Sequence, residues 1–227
     1  NREGKLQKLI LRGNVTKAQL SQYCLDNNVQ IDVPDLNNDI RLFEFERFLF
    51  PLKISDLNIP CYVIPIKPKW AQELFDTKEA GSMLFGVDIT RLWNVENVYY
   101  RSARTLTEVV PARILWYVSA DKHYSRNKGI VATSYLEEVI TGLPKDLFRK
   151  FKHYGIYKWE DIYKLCVADI NKPIRAIRFG HTEVFNSIVP FNDLQKIMGK
   201  KNTFQSPVEV SEEVFNEIYK LKDVKRL

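Results

Sequence analysis

The sequence predicts an α+β fold: a curved, mostly antiparallel sheet closed into a pseudo-barrel, with flanking helices. Three observations carry this. Two strongly strand-like runs, 112–119 and 129–136, follow one another with only a short connector between them. Strand and helix patterns elsewhere do not alternate regularly, which argues against a doubly wound parallel sheet. The 227 residues are 45% apolar and 12% aromatic, enough for a substantial core.

Residues 1–59 read as an N-terminal helical segment or the linker of an upstream domain, and 60–227 as the main domain. Thr16 is placed to cap a helix over 17–25, with Ala18, Leu20, Tyr23 and Cys24 at helical spacing. Asp26-Asn27-Asn28 ends it, and 32–39 is a turn-rich connector. The run 40–50 is ambiguous between helix and strand, and Pro51 closes it. Residues 61–66 form a strand whose Pro65 argues for an edge or a bulge, since proline cannot donate to the ladder. Pro68 opens a helix with Trp70, Ala71, Leu74 and Phe75 on one side. A strand is expected over 95–100. In 112–119, Arg113, Leu115 and Tyr117 share one face while Ile114, Trp116 and Val118 share the other. Pro144 starts a basic helix that stops by Gly155. Further expectations are a helix over 159–167, a strand over 174–179, a surface turn at 180–183 and a helix ending at Gly199. In the last helix, capped by Ser211, Val214, Ile218 and Leu221 form the apolar stripe.

Several function classes lack their signatures. No run of about 18 apolar residues exists to cross a membrane, and no signal peptide is visible at Asn1. The three cysteines, Cys24, Cys61 and Cys166, form no C-x-x-C pair. They read as buried thiols of a reducing compartment, hence the cytoplasm. The histidines, His123, His153 and His181, have no partner at helical ligand spacing, so no metal site is expected. No phosphate-cradling loop, nucleophile elbow or acyl-CoA signature is present, so no cofactor is expected and catalysis by this chain alone has no visible support. Glu137 and Glu138 point to opposite faces of a strand and cannot act together.

A net charge of +6 with pI near 9.1 permits a nucleic-acid partner. Tyr99-Tyr100-Arg101-Ser102-Ala103-Arg104 sets two aromatics beside two arginines, the side chains that stack on bases and grip phosphates. Arg113 and Tyr117 extend that surface, and Arg149 and Lys150 lie on the basic helix with Lys145 and Lys152. The plainer readings are ordinary strand tyrosines and a solvated helix face.

Five segments, 62–68 with Leu74-Phe75, 97–102, 112–118, 176–179 and 204–207, resemble the C-terminal PUA/ASCH-like region of prokaryotic proteins that join a PIN-like nuclease, a GNAT acetyltransferase and a PUA/ASCH-like module. The resemblance covers about 60–221. It implies a PUA-like pseudo-barrel, an RNA or modified-base binding role, and an upstream domain for residues 1–59. The G-x-K-x-x-E-x-R signature of typical ASCH domains is absent, so no hydrolase activity carries over. Two other readings stay open: an accessory region of an acetyltransferase whose acyl-CoA site lies in other sequence, and an antitoxin-like protein-interaction domain.

Overall fold

The computed structural model describes residues 2–29, 33–75, 96–103, 108–119, 128–167, 169–199 and 201–224. The N-terminal part carries α1 (Arg2–Ile10), β1 (Asn14–Val15), α2 (Lys17–Asp26), α3 (Asp39–Phe48) and β2 (Lys53–Ile54). The sheet that follows contains β3 (Cys61–Ile66), β4 (Glu96–Ser102), β5 (Ala112–Val118), β6 (Gly129–Gly142), β7 (Ile174–Pro190) and β8 (Val208–Val210). Its helices are α4 (Pro68–Phe75), α5 (Pro144–Phe151), α6 (Trp159–Leu165), α7 (Phe191–Met198) and α8 (Glu212–Lys220). Among the described residues, no helix is long and apolar enough to cross a membrane.

The six strands run in the order β4-β7-β6-β5-β3-β8. Within this sheet all pairings are antiparallel except β3 with β5, while β1 and β2 form a separate parallel pair. The α+β, mostly antiparallel architecture is the one the pattern predicts. The two long strands β6 and β7 supply its curvature. Their register slips between Ile130 and Ala132, Thr133 and Tyr135, and Leu136 and Glu138. Such irregularities bend a strand and raise its twist.

Alternation along β5 places Ile114, Trp116 and Val118 in a core shared with Tyr99, Tyr100, Leu136 and Phe179. Leu115 and Tyr117 enter a second core with Ile130, Phe215 and Tyr219. Both faces are therefore covered, as suits a strand with a parallel neighbour and a nearly continuous apolar sequence. The N-terminal elements form a third cluster around Leu20, Leu42, Phe43 and Ile54, and Tyr135 of β6 reaches into it.

Local signals explain most boundaries. Thr16 and Gln19 form a reciprocal capping box, Asn38 accepts from the Arg41 amide, and Ser211 accepts from the Val214 amide. Gly199 ends α7 at φ 62°, a left-handed stop that glycine adopts without strain. The ambiguous run 40–50 is helix α3: Leu42, Phe43, Phe45 and Glu46 are buried, a helical rather than alternating set.

Two expectations change. The turn at 180–183 is the interior of β7, with His181 at φ 50°. Two of its polar residues have partners there: Thr182 Oγ1 lies 2.7 Å from Ser134 Oγ, and Tyr219 donates to Glu183 at 2.8 Å. The last helix buries Phe215, Ile218 and Tyr219, rotated from the expected stripe, while Val214 and Leu221 are only partly covered. The expected loop at 121–124, with His123, lies outside the described residues.

The three cysteines are free and buried. So is Lys53, whose ammonium donates to the Tyr135 hydroxyl at 2.8 Å and lies over the Tyr135 ring at 4.6 Å and the Phe50 ring at 5.0 Å. Burial pulls its pKa from 10.5 down to about 8, against the opposing pull of Glu46 and Glu183. Between those values the unfolded chain binds more protons than the folded one, so stability rises with pH. From pH 8 to 9 Lys53 alone contributes a gain of about 1 kcal/mol. Cys61 opposes this: burial raises its thiol from 9.0 to about 12, so the unfolded chain ionises first and the Lys53 gain is increasingly offset as pH rises through 9. Urea unfolding at pH 8 and 9 checks the Lys53 contribution: the stability difference between wild type and Lys53→Met should change by about 1 kcal/mol in favour of wild type, and a difference that does not change contradicts the assignment.

Candidate nucleic-acid interface

The sheet curls without closing. Among the described residues β4 hydrogen-bonds only to β7, and β8 pairs with β3 only at Cys61–Val63. The stretch Ile64–Ile66 therefore has an open side, which accommodates Pro65. The two open edges approach each other, and the Tyr99 hydroxyl donates to the Pro65 carbonyl at 3.3 Å. Between them lies a cleft of about 650 Å³.

Its walls are aromatic. Trp70, half-buried on α4, lies 4.2 Å from the Tyr157 ring at an interplanar angle of 38°. Tyr99 meets Tyr157 at 6.5 Å and stands edge-on to Trp116 at 5.7 Å. Tyr157 reaches this place because the loop between α5 and α6 lies directly on β4. A Cβ on Gly155 would come within 2.8 Å of Val98, so only glycine allows that approach. Phe204 and Gln205 border the cleft from the segment before β8. Phe204 adopts φ 50° and packs on Tyr117 at 4.6 Å, with its amide held by Asn202 Oδ1 at 2.7 Å.

The charge is mostly positive. Among the described residues, Lys67, Lys69 and Lys164 border the cleft together with Arg101 and a single carboxylate, Asp161. Lys69 lies 3.5 Å from Asp161 and 4.2 Å above Trp70. Lys67 and Lys164 are exposed and form no ion pair among the described residues. Burial lifts the Tyr99 hydroxyl to about 12, so it remains a neutral donor at physiological pH.

Of the residues expected from sequence, Tyr99, Tyr100 and Arg101 border this cleft, though not as an open display: they are 5%, 2% and 8% exposed. The Tyr100 hydroxyl is tied to the Leu147 carbonyl at 3.4 Å. Arg101 pairs with Glu108, which also binds Arg175 at 3.1 Å. Arg113 and Tyr117 do not extend the surface. Arg113 is sealed at 1% exposure against Glu46 and the Ile54 carbonyl, and Tyr117 stands behind the wall as a support for Phe204. The mixed face of β5 is covered by the N-terminal segment and α8, which local alternation cannot reveal. Arg104 lies outside the described residues. Arg149 and Lys150 are exposed on α5, paired with Asp146 at 3.1 Å and Glu138 at 2.7 Å, and neither borders the cleft. Trp70, Tyr157 and the lysines Lys67, Lys69 and Lys164 were not singled out. The signal available was aromatic–basic adjacency at Lys67-Pro68-Lys69-Trp70, masked by the helical spacing of Trp70.

This arrangement, a six-stranded curled sheet with a cleft at its open seam, is an ASCH/PUA-like fold. The chain is similar to the ASCH protein of Zymomonas mobilis, with a TM-score of 0.52 and 17% identity over 71% of this chain and 94% of that one. A tyrosine-to-phenylalanine point mutant of that same protein aligns with a TM-score of 0.53 at 14% identity over 71% and 97%. Human THYN1, in complex with 5-methylcytosine-containing DNA, aligns over 74% of this chain and 99% of that one at 13% identity, with a TM-score of 0.40 too low to bear on fold or ligand here. No protein-family model and no curated protein matches the sequence significantly.

Proposed function

We propose that this chain is a nucleic-acid-binding module that takes a base of RNA or DNA into the seam cleft. The observation that carries this is the pairing of an aromatic wall, Trp70 with Tyr157 and Tyr99, with lysines Lys67, Lys69 and Lys164 at the same opening. Aromatic faces stack on any base, and flanking cations follow the backbone. The resemblance of residues 60–221 to a module of PIN–GNAT proteins supports a place within a larger multidomain protein, and the free buried thiols support the cytoplasm.

The test is a panel of fluorescent single-stranded RNA and DNA oligonucleotides. With about three phosphates neutralised, raising salt from about 50 to 200 mM should weaken binding roughly 10- to 20-fold. A panel without salt-sensitive binding refutes the reading.

A further inference from the structure

Among the described residues, Arg101 is the one charged cleft residue that is buried. It is 8% exposed, and its Nε is sealed from solvent without a hydrogen-bond partner. Its carboxylate, Glu108, is shared with Arg175. Burying a guanidinium is costly unless its charge and donors are met. Here they are met only in part, and the residue borders the cleft. Lys67, without an ion pair among the described residues, borders the same space. The Trp70–Tyr157 wall borders the same cleft from α4 and the α5–α6 loop, so a planar ring and an anion can both be met there.

We infer that the inner part of the cleft is a phosphate subsite built on Arg101 and completed by Lys67, so that the ligand is a nucleotide held by base and phosphate together rather than by its base alone. This rests on the proposed nucleic-acid reading and adds which part of the ligand each wall takes. An oxyanion brought against Arg101 supplies the compensation that the shared Glu108 leaves incomplete. The volume, about 650 Å³, holds one nucleotide and not a folded RNA, so recognition is of a single residue drawn into the seam.

Calorimetry of the full chain with nucleoside 5′-monophosphates, the matching nucleosides and inorganic phosphate separates the alternatives. The monophosphate should bind at least about tenfold tighter than its nucleoside, with inorganic phosphate competing. Arg101→Gln should bring the two ligands to near equality while leaving nucleoside affinity within about twofold. Lys67→Gln, an exposed change that leaves the Glu108 cluster intact, should narrow the ratio in the same direction if Arg101→Gln does not fold. Equal affinity for nucleotide and nucleoside in the wild type overturns the subsite while the stacking cleft stands. Failure of every oligonucleotide to bind overturns the nucleic-acid reading itself.

Discussion

Glu46→Gln is expected to destabilise the protein by about 3–5 kcal/mol, the largest single effect this structure implies. Glu46 is fully buried and saturated with partners: Arg113 Nε at 3.2 Å, a second bond from the Arg113 guanidinium, the Ile54 amide at 2.7 Å and the Tyr135 hydroxyl at 2.9 Å. Arg113 also donates to the Ile54 carbonyl at 2.8 Å and lies 4.8 Å above the Phe215 ring. Removing the charge leaves a guanidinium with nowhere to reach water, and one-sided loss of a buried pair is the expensive case. Replacing both partners, Glu46→Leu with Arg113→Met, should cost clearly less than the sum of the single changes, because no uncompensated charge remains. Urea unfolding followed by tryptophan fluorescence measures Glu46→Gln, the two single changes and the double variant. A Glu46→Gln cost below about 1 kcal/mol would show that water or rearrangement rescues Arg113 and that the pair does not pin the N-terminal segment. Limited proteolysis adds a local readout: since Glu46 lies on α3 and Arg113 on β5, cleavage within the N-terminal segment should accelerate first.

The same pair shows what the sequence does and does not reveal. Alternation correctly separated the two faces of β5, because side-chain direction in a strand depends only on the backbone. What covers the face bearing Arg113 depends on a contact with a residue 67 positions away, Glu46, on a helix whose own pattern was ambiguous. Caps, proline starts and the Gly199 stop were legible since each is a local hydrogen-bonding or dihedral requirement. The length of β7 was not, because Gly180-His181-Thr182-Glu183 has turn chemistry and only cross-strand partners hold it extended. In the cleft, Tyr99, Tyr100 and Arg101 were visible as neighbours in sequence. Trp70 and Tyr157 are 87 positions apart and meet only when the sheet curls, so a helical apolar stripe and a loop tyrosine gave no hint of a shared wall.

That wall bears the second large effect. Trp70→Ala should weaken oligonucleotide binding by about 5- to 150-fold, the range of a lost base–aromatic stack of about 1–3 kcal/mol. Because Trp70 is only partly buried, the fold should survive, and an unfolding free energy unchanged within about 1 kcal/mol separates lost binding from lost structure. Trp70→Phe should recover much of the affinity, since a smaller π face remains, whereas a role confined to packing α4 predicts no binding change in either variant. Charge acts on a different observable. Lys67→Gln combined with Lys164→Gln should weaken binding mostly at low salt and reduce the salt slope by about 1 to 2. Trp70→Ala should leave that slope unaltered, because a stacked ring releases no counterions. If both substitutions flatten the slope equally, stacking and phosphate contacts do not divide between the wall and the rim, and the cleft is not read as two chemically separate surfaces.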